Sequence, residues 1–225
     1  MFVMGTVTFG DVGFAVIILT IFVKIILFPV ARKSIKSQVV MKKLAPLLKK
    51  IKEDYPSKEE QSKKTFALYK EHGVNPFSGC LLVLIQLPII FALYYAFLRG
   101  LGANAVVGPL YSFVQMPASI HTMFLGIIDM NGHSVVLALL AGISQFAQGY
   151  LMNKKDKTET PAIRDITKPS FQEQLTESMT TNMKYTLPLI ITFVAWQVSA
   201  AVALYWVVSN VCTIVQEWYV KRSLK

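Results

Sequence analysis

Long apolar runs, separated by short segments that hold most of the charged residues, constrain this chain more than any other feature. Of its 225 residues, 53% are hydrophobic and only 16% are charged. The apolar runs approach or exceed the ~20 residues that a helix needs to cross a hydrocarbon core of ~30 Å. Because lipid offers no hydrogen bonds to the backbone, such runs are typical of helices. We therefore predict an all-α integral membrane protein.

The net charge of +10 comes mainly from basic residues in the segments that flank these runs. A basic chain could bind nucleic acid, but this placement is typical of loops that face the anionic cytoplasmic leaflet. We expect no nucleic acid as a specific ligand. Cys80 and Cys212 lack metal-ligand spacing, and His121, Asp129 and His133 are scattered, so we expect no metal and no cofactor.

The hydropathy pattern predicts five membrane spans in one core that covers residues 1–225. A single helix over 185–220 would measure about 54 Å at 1.5 Å per residue, too long for one span, so we place a reversal near Gln197 to Ala201. The positive-inside rule then puts the N-terminus outside and the C-terminus in the cytoplasm. The predicted segments are span 1 at 12–31, a cytoplasmic helical hairpin at 32–72, span 2 at 78–98, an outer segment at 100–133, span 3 at 134–152, a cytoplasmic loop at 153–183, span 4 at 185–199 and span 5 at 202–220.

The hairpin at 32–72 is basic and amphipathic. Within 33–55 its apolar residues recur at three- to five-residue steps, as on one face of a helix. Pro56 and Ser57 interrupt the pattern before a second helical segment. Two interpretations stay open: a solvated basic face that touches lipid, or a docking surface for a partner.

Lys24 lies inside the first apolar run, where an ionisable side chain is costly and therefore a functional hypothesis. Snorkelling to the cytoplasmic edge is the simpler alternative. Thr20 lies one turn earlier on the same helical face, and Glu217 is the only nearby carboxylate that could neutralise the ammonium. Without a dedicated counter-charge, Lys24 needs water, which implies a hydrated cavity open to the cytoplasm.

Other polar side chains in the apolar runs are most simply explained as hydrogen-bond partners between helices. They include Gln86, Ser144, Gln145, Gln148, Gln197, Ser199, Ser209, Asn210, Thr213 and Gln216. No nucleophile with a base, metalloprotease motif or phosphate-binding glycine loop is present. We therefore predict that the protein is not an enzyme.

Three segments carry a resemblance to a known family. They are YKEHGVNPFSGCLLVLIQLPIIFALYYAF at 69–97, SQFAQ at 144–148 and ALYWVVSNVCTIVQEWYVKR at 203–222. In this order, the chain resembles the YidC/Oxa/Alb family of membrane protein insertases. The resemblance implies five transmembrane helices around a hydrophilic groove that is open to the cytoplasm and to lipid. It also implies a membrane protein insertase and folding chaperone that works without ATP.

The resemblance also suggests which residues line the groove. Lys24 takes the place of the family's characteristic arginine, and Ser199 and Ala201 replace the usual Pro and Gly before ALYW. The full expected groove set is Lys24, Thr20, Gln145, Gln148, Tyr205 and Trp206.

The resemblance implies nascent membrane proteins as partners in a bacterial plasma membrane. The hairpin at 32–72 is then the expected contact for the ribosome, a targeting receptor, the Sec translocon and anionic lipids. Two other functions stay open: a small solute transporter or channel with a Lys-lined pore, and a scaffold whose basic hairpin recruits partners.

Overall fold

A computed structural model describes residues 11–75, 78–100, 121–152 and 185–224, and within them the chain is mostly helical. This confirms the predicted helical class at the coarse level. The elements are α1 (Val12–Ile26), α2 (Phe28–Lys43), α3 (Ala45–Asp54), α4 (Lys58–Glu71), α5 (Ser78–Gly100), β1 (Met123–Phe124), β2 (Ile128–Asp129), α6 (Val135–Met152), α7 (Leu187–Gln197) and α8 (Ala200–Arg222).

Two prolines divide the first part of the chain into separate helices. Helix α1 ends at Ile26, and Pro29 lies at the start of α2, where its missing N–H would have no helical partner anyway. Pro46 begins α3 in the same way, after α2 has ended at Lys43. A proline inside a helix clashes with the carbonyl four residues earlier. Helix α1 is therefore shorter than the predicted span at 12–31.

The last apolar stretch is interrupted by a short break. Helix α7 ends at Gln197, Val198 and Ser199 are not helical, and α8 begins at Ala200. The Ser199 carbonyl accepts from the backbone N–H groups of Val202 and Ala203, which starts the new helix. The break lies inside the interval 197–201 in which the sequence predicts a reversal.

Two described helices, Val135–Met152 and Ala200–Arg222, are long and apolar enough to cross a membrane. The pair α1 and α2 would make a third if both were one span. Leu187–Gln197 is apolar but shorter. The predicted number of five spans therefore stays a prediction. Most of the predicted outer segment and almost all of the predicted loop at 153–183 lie outside the described residues.

The chain divides into two compact units. The first contains residues 1–26 and 89–214, and its core is built from small and medium apolar side chains of α1, the β-hairpin, α6, α7 and α8. Alanines at 138, 141, 195, 200, 201 and 203 are almost completely buried. Such small side chains allow close approach of helices.

The β-hairpin of β1 and β2 covers the starts of two helices in the first unit. Its strands are antiparallel, with Phe124 opposite Ile128. The first N–H groups of a helix have no partner within the helix. Here the Ala200 N–H donates to the Gly132 carbonyl at 2.8 Å, and the Val12 N–H donates to the His121 carbonyl at 3.2 Å. The hairpin is thereby fixed at the end where α1 and α8 begin.

The second unit contains residues 27–88 and 215–225. Helices α3 and α4 pack against each other in it as a helical hairpin, and the Lys64 ammonium lies 5.3 Å from the centre of the Tyr55 ring. Ser34 Oγ donates to the Ser78 carbonyl at 2.7 Å, which joins α2 to the start of α5. The cytoplasmic location of this hairpin stays a prediction.

Candidate functional site

Lys24 has a neutral hydrogen-bond partner on another helix of the first unit. Its Nζ donates to Thr213 Oγ1 at 2.9 Å, although the two residues are 189 positions apart in the chain. Thr213 Oγ1 in turn donates to the Ser209 carbonyl at 2.8 Å. Since the threonine proton goes to that carbonyl, its oxygen lone pairs are available to the lysine ammonium. The lysine is thus positioned by a hydroxyl of α8.

Helix α8 carries further polar groups on the same side. Asn210 is buried, and its Nδ2 donates to Ser144 Oγ of α6 at 3.0 Å. Ser209, Asn210 and Thr213 follow one another at helical spacing, so they share one face. The sequence reading treated these polar residues singly and did not recognise them as partners of Lys24 and α6. The spacing of Ser209, Asn210 and Thr213, at one, three and four residues, is the sequence signal that indicates a shared polar face on α8.

Thr20 and Tyr205 lie in the packed interior. Each is only 3% exposed. Thr20 Oγ1 donates to the Val16 carbonyl of its own helix at 2.6 Å, and Ser209 lies within hydrogen-bonding reach of the Tyr205 hydroxyl. Both hydroxyls therefore have partners, as buried polar groups usually do. Their positions favour support of α1 and α8 over contact with a solvated ligand.

Gln145, Gln148 and Trp206 are partly exposed. Trp206 packs against the core of the first unit. Gln148 Nε2 lies 3.8 Å from Met152 Sδ, whereas its Oε1 is buried and has no hydrogen-bond partner among the described residues. An unpaired buried amide oxygen is costly and can accept a hydrogen bond from a bound group. Among the predicted groove residues, Gln148 therefore has a side-chain oxygen that can accept a further hydrogen bond.

Glu217, the carboxylate considered as a counter-charge for Lys24, has a cation of its own. It is buried in the second unit and pairs with Lys221, one turn later on α8. Among the residues that the structure describes, its Oε2 is buried without a hydrogen-bond partner. Lys24 instead donates to the Thr213 hydroxyl.

The residues considered for a metal site have other contacts. Asp129 Oδ1 accepts from the Asn131 backbone N–H, and His133 Nδ1 lies 3.2 Å from the Val198 carbonyl oxygen. No group of three or more metal-ligating side chains occurs in the part of the chain that the structure describes.

Apolar helices with polar side chains hydrogen-bonded between them define a helical membrane protein. The chain belongs to the 60Kd inner membrane protein family, whose family model matches residues 4–225. This confirms the resemblance to the YidC/Oxa/Alb insertases. The family is not one of enzymes, in agreement with the prediction from the sequence.

Curated relatives match almost the whole chain. A protein of Fusobacterium nucleatum is 31% identical over 215 residues, which are 95% of this chain and 88% of the relative. A protein of Campylobacter jejuni is 31% identical over 214 residues, again 95% of this chain but only 34% of the relative. Both are named membrane protein insertase YidC. The chain thus spans most of one relative and about a third of the other.

A solved structure supports the fold. It is described as an active YidC insertase crystal structure with the first transmembrane domain resolved. The match has a TM-score of 0.55 and 23% sequence identity, and it covers 92% of this chain and 40% of that chain. At this identity the likeness concerns the fold alone.

Proposed function

We propose that this protein is a membrane protein insertase and folding chaperone. Family membership and relatives named as insertases support this class. In the proposed mechanism, a hydrophilic tail of a nascent membrane protein enters a groove that contains Lys24. The adjoining apolar helix then moves into lipid, and no ATP is consumed.

The hydrogen bond between Lys24 and Thr213 is the observation that carries the mechanism. An ammonium within an apolar helix persists only where partners or water stabilise it. A threonine hydroxyl is neutral and does not cancel the positive charge, so the ammonium can attract acidic or polar parts of a passing chain. A hydrated groove also lowers the cost of moving polar backbone across hydrocarbon, which is high without hydrogen bonds.

We assign different roles to the six predicted groove residues. Lys24 attracts the tail, Gln148 offers an amide oxygen to its backbone N–H groups, and Gln145 and Trp206 contact it from the partly exposed surface. The buried pair Thr20 and Tyr205 supports the helices that carry these groups.

The basic helical hairpin is the proposed contact for larger partners. Its exposed lysines and the exposed apolar side chains of Leu47 and Phe66 combine charge with apolar surface. Such a surface suits anionic lipid, and it also suits the ribosome, a targeting receptor or the Sec translocon.

Insertion of a single-span substrate with a short acidic tail tests the role of Lys24. A charge pair about 4 Å apart gains between ~1 kcal/mol in water and ~4 kcal/mol near a protein surface. We therefore expect Lys24→Ala to slow insertion by about tenfold or more, where tenfold corresponds to about 1.4 kcal/mol. Lys24→Arg keeps the charge and should retain most activity. The measurement is protease protection of the substrate in proteoliposomes that contain the purified variants.

A matched substrate with a neutral tail serves as the control. Its insertion rate should fall much less with Lys24→Ala than the rate of the acidic substrate. Photo-crosslinkers at Gln145 and Trp206 should react with the tail of a ribosome-bound nascent chain. Normal insertion of the acidic substrate by a folded Lys24→Ala protein would contradict the mechanism.

A further inference from the structure

The tip of the β-hairpin exposes three apolar side chains in succession along one side. Met123 is 47% exposed, Leu125 is 63% exposed and Ile127 is 79% exposed. Phe124 and Ile128 lie on the opposite side, where Phe124 is buried and Ile128 is partly buried against the core. The hairpin thus has one face in the protein and an exposed face that is apolar at its tip and carries Asp129, the partner of Met123, at its base.

The turn holds a leucine in a conformation that leucine rarely adopts. Leu125 has φ 53° and the following Gly126 has φ 69°. Positive φ at both central positions is typical of hairpin turns, where Asn-Gly or Asp-Gly is strongly preferred. Local turn chemistry therefore favours a small polar residue at 125. A large apolar side chain at this position indicates that the surroundings of the turn, and not the turn conformation, favour leucine there.

The apolar tip continues into the exposed surface of α1. The Phe124 ring packs edge-on against the Phe14 ring, with centroids 5.3 Å apart. Phe14 is itself 44% exposed and leads to exposed apolar residues further along the helix, among them Phe22. In a membrane protein such a helix surface faces lipid. From 122 to 128 the hairpin carries no charged side chain.

The β-hairpin also has a fixed position along the axes of the helices. The carbonyls of His121 and Gly132, which flank its two strands, accept from the first N–H groups of α1 and α8, so its base lies at the end where these helices begin. An apolar tip at that level would meet water or headgroups unless it entered the membrane interface. Interfacial elements of this kind bury apolar side chains at the boundary between headgroups and acyl chains.

We propose that the turn formed by Met123, Leu125 and Ile127 inserts into the interface of the membrane leaflet at the end where α1 and α8 begin. The charge distribution predicts that this is the outer leaflet. The hairpin would anchor the ends of two helices to lipid and restrict their movement relative to the bilayer. This role is independent of the Lys24 groove and does not rest on insertase activity.

Fluorescence quenching tests the inserted tip. The full chain, with Cys80→Ala, Cys212→Ala and Ile127→Cys, is labelled with an environment-sensitive dye and reconstituted into vesicles of phosphatidylethanolamine and phosphatidylglycerol. Lys58→Cys in the basic hairpin is the control exposed to water, and Leu139→Cys in α6 is the control for lipid. We expect lipids with a nitroxide near the headgroup to quench the Ile127 label about twofold more than the Lys58 label. Aqueous iodide should quench it less.

A second variant separates lipid contact from folding. Leu125→Asn suits the positive φ and should keep the turn, but it removes apolar surface from the tip. In this background, lipid quenching of the Ile127 label should fall and iodide quenching should rise. Equal iodide quenching of the Ile127 and Lys58 labels would overturn the proposal. Protection from iodide without quenching by nitroxide lipids would also overturn it, because it would indicate a protein cover in place of lipid.

Discussion

A hydrogen bond connects Lys24, the charged side chain inside the first apolar run, to a helix far away in the sequence. Lys24 donates to Thr213 at 2.9 Å, and Thr213 donates to its own helix. Lysine in an apolar run could be recognised from the sequence, because an isolated charge stands out against its neighbours. Its partner could not, since threonine is common in membrane helices as a local hydrogen-bond donor. Only the packing of α1 against α8 distinguishes Thr213 from the other hydroxyls.

We expect Thr213→Val to weaken insertion of a short acidic-tailed substrate. Valine has almost the same shape but cannot accept from the Lys24 ammonium. Hydrogen bonds between membrane helices contribute about 1 kcal/mol, so the insertion rate should fall by about fivefold. The rate is measured in the proteoliposome assay used for Lys24.

Thr213→Ser should retain activity because it keeps the hydroxyl. Thr192→Val is the matched control, since the Thr192 hydroxyl donates to the Pro188 carbonyl of its own helix. If Thr213→Val and Thr213→Ser behaved alike, the hydroxyl would have no role in positioning Lys24.

At the scale of elements, close packing of α6 against α7 depends on one glycine. A Cβ added at Gly142 would collide with the Thr192 side chain and lie 3.3 Å from the Pro188 carbonyl oxygen. The two helices thus approach at a position where no larger residue fits. Small residues at helix interfaces are typical of membrane proteins, because close backbone approach increases van der Waals contact.

We expect Gly142→Ala to destabilise the folded protein by about 1–3 kcal/mol, the usual cost of overpacking. Thermal unfolding of the purified protein in detergent measures the loss. Thr192→Ala should restore part of the stability in the double variant, because it removes the colliding hydroxyl.

Gly132→Ala, in the bend before α6, is the control for adding a methyl group to a glycine outside the interface. A Cβ there would meet Asp129 only at ordinary contact distances, the nearest atom being 3.6 Å away. Equal destabilisation by both glycine substitutions, without rescue by Thr192→Ala, would contradict this explanation of the interface.

At the scale of the whole molecule, the distribution of basic residues predicts the orientation in the membrane. The α3–α4 hairpin is rich in lysine, whereas residues 101–133 contain no Lys or Arg. Positive charge is retained on the cytoplasmic side. Membership of an inner membrane protein family supports a membrane location, and the direction of the termini stays a prediction.

We expect a cysteine at position 58 to be cytoplasmic and a cysteine at position 131 to be external. Both residues are exposed in the structure. In a Cys80→Ala, Cys212→Ala background, a membrane-impermeant maleimide added to intact spheroplasts should label Asn131→Cys. It should label Lys58→Cys only after the membrane is permeabilised. The reverse pattern would show the opposite orientation.

The sequence by itself determined the helical membrane class and the family, because both depend on contiguous features: apolar runs, flanking charges and the motifs at 69–97, 144–148 and 203–222. Helix ends were less well predicted, because the predicted span at 12–31 and the helical pattern at 33–55 run through Pro29 and Pro46, next to which the structure has breaks. The tertiary structure decided which polar groups meet. Thr213 reaches Lys24 and Asn210 reaches Ser144 only because packed helices bring residues together that are far apart in the chain. It also decided the position of the β-hairpin, because the carbonyls of the flanking residues His121 and Gly132 accept from the starts of α1 and α8.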